Sequence, residues 1–355
     1  MAKKVEKNDK LEEALAEIEK KYGKGIIMDL TANSILDVPV ISTGVISIDK
    51  ALGVFGVPKG RIIEIFGDSA GGKTTLCLSI VAQAQKEGMC AWFDVEQKMN
   101  LTWAKINGVD LSANKFKISQ IGVCENVLEC LQILVESGSF KVIVVDSVAA
   151  MPTKAEMEGD YGDATIGVQA KLLSSAMRKL VEVVAKTNTI LIFINQIRDK
   201  IKLGFAGGFG DNFITCGGKA IPFYATVRIK ATKIKQLTVG TGAETKSIGS
   251  EHQIKVVKNQ VAPPFLKANF KIYNTEGISE LAQILDYAID LKVVKKEGAW
   301  FSFENKNLAQ GKSKVRLLLK KETELYNKIK TLTLDKLKKQ EVAESEPDDE
   351  DEDKD

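Results

Sequence analysis

The sequence has few of the residues from which several common kinds of site are built. It contains a single histidine, His252, so neither a histidine metal cluster nor a Ser/His/Asp hydrolase triad is easy to build. We expect His252 to be structural rather than catalytic. The five cysteines are scattered, odd in number and nowhere in a CxxC pair. This argues against a disulfide framework or a zinc site and favours reduced, mostly buried thiols.

Long apolar runs are also missing. No run of about 18 apolar residues occurs, and the chain opens on Met1-Ala2-Lys3-Lys4 rather than on the apolar core of a signal peptide. We therefore expect a cytoplasmic protein with no membrane partner. With 44% hydrophobic residues among 355, the chain can fill a sizeable core in one large domain or two modest ones.

Negative charge is concentrated at one end of the chain. Residues 341–355 hold ten acidic residues and one lysine, a net charge of −9. Because the whole chain has a net charge of +3, the other residues together carry +12. A basic body with an acidic tail indicates a polyanion-binding surface and a tail that competes for it. The alternative is a tail that only aids solubility.

Apolar periodicity predicts an α/β architecture. Residues 11–22 have helical spacing before Gly23, which predicts a helix that packs on its own core or on a neighbouring subunit. From residue 60, β-branched apolar runs alternate with helical stretches, and this alternation predicts a mostly parallel twisted sheet with helices on both faces. The predicted strands are 61–67, 89–96, 141–146 and 189–196, and the predicted helices are 73–86, 125–137 and 167–187.

A different pattern follows in the last third of the chain. Strand-like runs at 225–234, 252–258 and 269–273 predict an antiparallel extension of the same sheet. Helical spacing from Ile278 opens a small mixed α/β domain. We expect four segments, which are an N-terminal oligomerisation helix over 1–35, the main core over 36–270, the small C-terminal domain over 271–333 and an acidic disordered tail over 334–355.

A GxxxxGKT loop lies between the first predicted strand of the core and the next helix. Its residues are Gly67, Asp68, Ser69, Ala70, Gly71, Gly72, Lys73 and Thr74, and Thr75 follows. Such glycines let backbone N–H groups point at a phosphate, and the helix adds its positive end. We expect ATP here, with catalytic Lys73 at its β and γ phosphates and the Thr74 hydroxyl on Mg²⁺.

Two carboxylates end predicted strands of the same sheet. Asp146 closes the apolar run that begins at residue 142, and we expect it to contact Mg²⁺. The alternative is a carboxylate that caps the next turn. Glu96 ends another strand, where it would face the same sheet edge and could orient and deprotonate water. Its alternative is a solvated strand end.

The motifs together resemble the bacterial RecA recombinases. The resembling segments occur in the same order and span roughly residues 11–320; they are Ile41–Gly44, the phosphate loop, Val144–Ala150, Ala176–Leu180, Leu191–Arg198, Lys255–Asn259 and Gly298–Trp300. The resemblance implies a P-loop NTPase with a RecA-like core. Such a protein forms helical filaments on single-stranded DNA, pairs it with homologous double-stranded DNA and exchanges strands, with DNA-stimulated ATP hydrolysis. A single-strand-binding protein and loading factors are the accessory partners that it implies.

The resemblance also assigns roles around the nucleotide. Glu96 matches the family's catalytic carboxylate, and Gln196 matches the glutamine that senses the γ phosphate and orders the adjoining DNA loop. Trp103 falls where the family stacks an aromatic ring on adenine, although a tryptophan is by itself more often a core residue. Asn100 falls at another nucleotide-binding position, and Lys258 matches a family lysine that reaches the ATP of a neighbouring subunit.

DNA contacts are implied on two loops. The first, residues 158–167, has Ile166 where the family has an apolar wedge between bases. Lys171 and Arg178 lie on one face of the following helix and match family positions at the phosphate backbone; otherwise they form a solvated basic face. The second loop covers residues 197–218. Its predicted DNA contacts are Arg198, Phe205, Gly217 and Gly218.

The sequence departs from the family in the second loop and at the subunit interface. The second loop is longer than the family's and carries Phe205, Phe209 and Phe213, which are either base-stacking platforms or a small helical core patch. Gln260 and Pro222 replace two of three lysines that the family offers to a neighbouring subunit's ATP. Because such charges stabilise the transferred phosphoryl group, we expect slow hydrolysis.

Two other functions stay open at this point. One is a helicase-type motor of the same core fold, and the other is an ATP-gated filament that coats DNA with weak or no strand exchange. The motif order, the small C-terminal domain and the acidic tail favour the recombinase. The missing lysines favour the coating filament.

Overall fold

The computed structural model describes residues 2–23, 27, 38–160, 167–199, 213–240 and 244–345. Two compact units are present, Met1–Pro39 and Val40–Asp355. The first contains helix α1 (Ala2–Tyr22), which starts before the predicted position 11 and ends where predicted. Gly23 terminates it with a φ of 101°, a conformation that glycine adopts at little cost.

The second unit contains the main sheet and the small C-terminal domain. Its strands are β1 (Val40–Ile41), β2 (Val57–Pro58), β3 (Ile62–Gly67), β4 (Met89–Asp94), β5 (Phe116–Ser119), β6 (Phe140–Asp146), β7 (Ile190–Asp199), β8 (Phe213–Thr215), β9 (Val227–Val239), β10 (Lys246–Asn259), β11 (Lys267–Tyr273), β12 (Gly277–Ile278), β13 (Lys295–Glu297), β14 (Trp300–Phe303) and β15 (Lys306–Gln310). Its helices are α2 (Ile46–Ala51), α3 (Lys73–Ala84), α4 (Leu101–Ile106), α5 (Cys124–Glu136), α6 (Lys154–Glu158), α7 (Val168–Thr187), α8 (Ala220–Tyr224), α9 (Glu280–Asp290), α10 (Lys312–Lys321) and α11 (Thr323–Ser345), and a 3₁₀ turn spans Val148–Ala150.

The main sheet has the order β12-β11-β10-β9-β3-β7-β6-β4-β5, and β8 pairs with the end of β7. Neighbours from β9 to β5 are parallel. The pairs β9–β10, β10–β11 and β11–β12 are antiparallel. The predicted fold class, a mostly parallel sheet with an antiparallel extension, is therefore confirmed.

Helices cover both faces of the parallel strands. One core contains residues of α3, such as Leu76 and Ile80, and the other contains residues of α5 and α7, such as Leu131 and Leu180. Strands buried on both faces are mostly apolar, which is why β3 and β6 lack regular polar alternation, although β3 buries Glu64. Among the residues that the structure describes, no helix is both long enough and apolar enough to cross a membrane.

Several strands are longer than predicted because pairing with neighbouring strands extends them. β7 continues to Asp199, where it pairs with Phe213 of β8. β10 begins at Lys246 rather than at residue 252, since Lys246 pairs with Val239 of β9. Cross-strand pairing thus supplies strand structure where local propensity does not predict it.

The small C-terminal domain has its own core, formed by α9, α10, α11 and the antiparallel sheet β13-β14-β15. Two predicted boundaries need correction. The boundary at 270/271 falls inside β11, and the main sheet ends only at Ile278. The acidic disordered tail was predicted from residue 334, but α11 continues to Ser345 and buries Leu337. Residues 346–355 are not among those described.

Candidate nucleotide and DNA site

The carboxyl ends of four parallel strands form the candidate site. In the register of the sheet, Gly67 at the end of β3 lies beside Gln196 of β7, and Asp94 at the end of β4 lies beside Asp146 of β6. Loops that leave such strand ends surround the ligand crevice of open α/β sheets. Segments far apart in sequence therefore deliver their polar residues to one sheet edge.

The phosphate loop has a conformation that only glycine accommodates at two positions. Gly67 has a φ of 147°, and a Cβ there would lie 2.1 Å from the carbonyl oxygen of Ala231. Gly72 has a φ of 90° and caps α3, whose first residue is Lys73. The remaining predicted loop residues Asp68, Ser69, Ala70, Gly71, Thr74 and Thr75 complete the turn into the helix.

Lys73 is folded back into the loop. Its Nζ donates hydrogen bonds to the carbonyl oxygens of Gly67 at 2.9 Å and Asp68 at 2.7 Å. Burial lowers the pKa of Lys73, while the nearby Asp146 and Asp68 charges raise it. The ammonium group therefore sits inside the loop, where a bound phosphate would contact it.

Thr74 and Asp146 form an oxygen-rich pair suited to a hard cation. The Thr74 Oγ1 donates to Asp146 Oδ2 at 3.0 Å. Burial raises the pKa of Asp146 to about 6, against the opposing effects of the Thr74 hydrogen bond and the Lys73 charge. Among the described residues, no cluster of three or more Asp, Glu, His or Cys side chains could hold a metal ion by itself. These two residues fit Mg²⁺ only if phosphate oxygens and water supply its other ligands.

Glu96 receives three donors. Ser147 Oγ and Gln196 Nε2 donate to its Oε1 at 2.6 and 3.0 Å, and Lys98 Nζ donates to Oε2 at 3.2 Å. Burial raises the pKa of Glu96, but the hydrogen bonds from Ser147 and Lys98 and the Lys98 charge outweigh burial, so the net pKa is lowered. The carboxylate is therefore held ionised and directly linked to the predicted sensor Gln196.

Asn100 and Trp103 lie at the rim of the same cleft. Asn100 caps α4 by accepting a hydrogen bond from the Trp103 backbone N–H at 2.9 Å. The Trp103 indole N–H donates to Thr75 Oγ1 at 3.1 Å, and the partly buried ring packs on the first core. The helix cap and the loop hydroxyl together fix the orientation of this aromatic ring.

Two clefts flank the phosphate loop. The first, of about 260 Å³, is lined by Ser69, Ala70, Lys73, Thr74, Leu78, Trp92, Asp94, Glu96, Lys98, Met99, Asn100, Trp103, Asp146, Ser147, Ile194 and Gln196. The second, of about 250 Å³, is lined by residues 70–75 with Ser250, His252 and Ile272 of the antiparallel extension. The structure therefore brings the predicted nucleotide residues together around one loop, with the exception of Lys258.

Comparison with known proteins decides the family. The family models described as RecA N-terminal domain and RecA C-terminal domain match residues 9–279 and 282–338. The chain belongs to the RecA family. It is 46% identical over 327 residues to Protein RecA of Chloroherpeton thalassium, with 92% of this chain and 89% of that protein covered. It is 47% identical over 326 residues to Protein RecA of Geobacter sulfurreducens, with 91% and 94% covered.

Clostridioides difficile Protein RecA gives a similar result, 44% identity over 325 residues with 91% of this chain and 90% of that protein covered. Membership of the RecA family supports a role in DNA recombination and repair. The two RecA models follow one another over almost the whole chain. This collinearity does not favour a helicase-type motor.

The roots of both predicted DNA loops meet at the start of α7. Gly167, with a φ of 85°, caps this helix and ends the first loop. A Cβ on Gly217 would lie 2.5 Å from Leu173 Cδ1, and a Cβ on Gly218 would lie 2.8 Å from the Cβ of Ala170. These two glycines therefore let the end of the second loop pack closely on the helix that follows the first loop.

The other predicted DNA contacts are distributed over α7, β7 and the loops. Lys171 and Arg178 are both exposed on one side of α7. Arg198 pairs in register with Ile214, which places it at the base of the second loop. Ile166 and Phe205 lie outside the described residues.

The structure separates Lys258 from the nucleotide site of its own chain. Its Nζ donates to the backbone carbonyls of Pro222 at 3.2 Å and Phe223 at 2.7 Å. Lys258 lines neither of the two clefts beside the loop. The contact of Lys258 with a neighbouring subunit's ATP therefore stays a prediction, as does the interface role of exposed Phe223 and Gln260.

Sequence reasoning missed four residues that hold the site in shape. Ser147 and Lys98 contact Glu96, and Asp94 accepts hydrogen bonds from the backbone N–H groups of Lys98 and Met99. His252 forms a hydrogen bond with the Gly71 carbonyl on the other side of the phosphate loop. The position of Ser147 directly after Asp146 was a usable signal, whereas no local pattern connects His252 with residues 67–74.

Proposed function

We propose that this chain is a DNA-dependent ATPase of the cytoplasm that forms helical filaments on single-stranded DNA and exchanges strands with homologous double-stranded DNA. One observation carries the proposal: the hydroxyl, carboxylates and glutamine predicted to handle ATP and Mg²⁺ converge within hydrogen-bond distance around the phosphate loop. Membership of the RecA family supports the DNA-directed part of the proposal.

The nucleotide-binding step follows from the loop geometry. Backbone N–H groups of the phosphate loop and the N-terminus of α3 would face the triphosphate, and Lys73 would exchange its carbonyl partners for phosphate oxygens. Thr74 and Asp146 would hold Mg²⁺, which would neutralise charge on the phosphates. Trp103 stacks on the base, while its bond to Thr75 keeps the ring in place.

Hydrolysis depends on the Glu96 carboxylate, which would lie beside the γ phosphate. Glu96 orients the attacking water and accepts its proton, and Ser147 keeps the carboxylate in one rotamer. Gln196 lies on β7 and donates a hydrogen bond to Glu96. The end of β7 pairs with β8, and the second DNA loop joins these two strands. DNA bound at this loop would thereby alter the position of Glu96, the group proposed to orient the water.

Turnover is expected to be slow. A lowered pKa makes Glu96 a weaker base, and Lys98 contributes to that shift. Gln260 is exposed next to the interface candidate Lys258, and Pro222 offers no charge. Fewer cations therefore reach the phosphates of a neighbouring subunit. The exposed Leu11 and Tyr22 of α1 provide apolar surface for the same assembly.

The decisive experiment is strand exchange between circular single-stranded DNA and a homologous linear duplex, with ATP and Mg²⁺ present. We expect exchange by the wild type, no exchange by Lys73→Ala, and normal exchange by the control Lys59→Ala, which lies in a surface ion pair with Glu87. ATP-dependent coating of single strands without exchange would instead establish the coating filament. Absence of both activities would contradict the proposal.

A further inference from the structure

The chain's only histidine is buried against the phosphate loop. His252 lies on β10, is 2% exposed, and belongs to the side of the strand that also buries Ile254 and Val256. A polar ring in an apolar row costs free energy unless its two nitrogens find partners. Both ring nitrogens of His252 have a hydrogen-bond partner.

The partners of the ring define its protonation state. His252 Nδ1 lies 2.9 Å from the carbonyl oxygen of Gly71, and Nε2 lies 2.7 Å from Ser250 Oγ. A carbonyl oxygen only accepts, so the proton is on Nδ1. Burial lowers the pKa of His252, and the Lys233 charge lowers it further against the opposing effect of the Gly71 bond. The ring is therefore neutral, and its unprotonated Nε2 accepts from the Ser250 hydroxyl.

The imidazole is closely packed where it meets the phosphate loop and β11. A Cβ on Gly72 would lie 3.0 Å from His252 Nδ1 and 3.1 Å from Ile272 Cδ1. On the side of β11, the Phe270 ring centroid is 5.4 Å from that of the imidazole. The imidazole thus bridges the antiparallel extension and the phosphate loop beside the second cleft.

We propose that His252 is a positioning residue of the phosphate loop. The peptide bond between Gly71 and Gly72 is trans, so the Gly71 carbonyl and the Gly72 N–H point in opposite directions. A carbonyl anchored outward on the imidazole aims the Gly72 N–H at the phosphate cradle. This inference rests on the nucleotide binding proposed above, and it assigns part of that binding to a residue of the antiparallel extension.

Three variants separate positioning from packing. His252→Asn keeps an N–H donor close to the place of Nδ1, whereas His252→Leu removes the donor but keeps apolar bulk. Ser250→Ala leaves the donor and removes only the partner of Nε2. Titration calorimetry with ADP should show about tenfold weaker binding for His252→Leu. Without the anchored Gly71 carbonyl, the Gly72 N–H loses its aligned hydrogen bond to the charged phosphate. His252→Asn should bind within about threefold of the wild type, and Ser250→Ala should lie between the two.

Nuclear magnetic resonance supplies a readout that packing would not change. Because the chain has one histidine, untagged ¹⁵N-labelled protein gives one imidazole spin system without assignment. We expect a neutral Nδ1–H tautomer at pH 7 and a shift of the ring nitrogens on addition of ADP. Lys73→Ala should keep the tautomer and lose the ADP-induced shift.

The outcomes distinguish this inference from the proposed function. Equal weakening by His252→Asn and His252→Leu, unchanged binding by His252→Leu, or an Nε2–H or charged ring would overturn the positioning role. ADP binding by the wild type but not by Lys73→Ala would leave nucleotide binding itself intact in each of those cases. Failure of the wild type to bind ADP would remove the proposed function and the positioning role together.

Discussion

The phosphate loop has two walls of different origin. The parallel strands β4, β6 and β7 provide one wall with Glu96, Asp146 and Gln196. The strands on the other side of β3 provide the second wall with Ala231, from β9, and His252, from β10. The first wall carries the groups that act on ATP, whereas the second holds the loop in its conformation. Chemistry and support thus come from different halves of one sheet.

The two walls also differ in charge. Three carboxylates, Asp94, Glu96 and Asp146, line the cleft on the parallel side. The extension side offers a neutral imidazole, a serine and an isoleucine. A site arranged in this way directs metal and water to one side of the phosphates only. Mutations on the acidic wall should therefore change the rate of hydrolysis more than nucleotide affinity, and mutations on the opposite wall should do the reverse.

The largest effect is expected for Glu96→Gln. Removal of the base should reduce DNA-dependent ATP hydrolysis by about 10²- to 10⁴-fold while ATP binding changes little. Steady-state phosphate release and equilibrium ATP binding measure the two quantities separately. The matched control Glu297→Gln, exposed on β13, should hydrolyse ATP normally. A loss of binding as large as the loss of rate would break the division between the two walls.

A smaller effect is expected for the aromatic ring at the rim. Trp103→Ala should weaken ATP binding about tenfold, since stacking on a base contributes roughly 1–3 kcal/mol. Trp103→Phe should retain most of the affinity because a ring remains. Trp300→Ala, half-exposed in the C-terminal domain, is the control. Wild-type affinity in Trp103→Ala would show that this tryptophan only packs on the core.

The interface tests whether charge from a neighbouring subunit can be restored. Gln260→Lys should raise the DNA-dependent rate about threefold to tenfold, far less than the 10³ or more of a full arginine finger. The control Gln310→Lys adds the same charge to an exposed glutamine of β15 and should leave the rate unchanged. If both variants behave like the wild type, the missing lysine does not explain slow turnover.

The smallest effect concerns the Lys98–Glu96 pair. Because Lys98 helps to lower the pKa of Glu96, Lys98→Ala should raise that pKa. The acid limb of the pH–rate profile should move upward by less than about one pH unit, as expected for a largely exposed ion pair. Lys105→Ala on α4 is the control. A downward shift, or none, would contradict this role of Lys98.

Much of the parallel half could be predicted from sequence because its signals are local. The apolar run before Gly67, the GxxxxGKT loop and the acid after Val145 each lie within one short segment, and the parallel register brings their ends together. Glu96 could be placed at the right edge for the same reason. Its donor Lys98 could not, since the backbone turn that Asp94 stabilises is not encoded in a recognisable spacing.

The supporting half was less accessible to prediction. Contact between His252 and Gly71 requires the register of β10 against β9 and of β9 against β3, including the shift between Glu251 and His252. A single residue of slippage would turn the imidazole to the other face of the sheet. The C-terminal end of α11 was missed for a related reason, because acidic composition outweighed the buried apolar spacing that continues to Leu337.

The most direct measurement of the central claim is the affinity of the full chain for ATP and Mg²⁺ before and after Lys73→Ala, with Lys59→Ala as the control. Loss of a buried charge partner predicts binding weaker by about 30-fold or more in Lys73→Ala and unchanged in the control. Equal affinity in all three proteins would contradict the account, because the triphosphate would then bind somewhere other than the loop around Lys73.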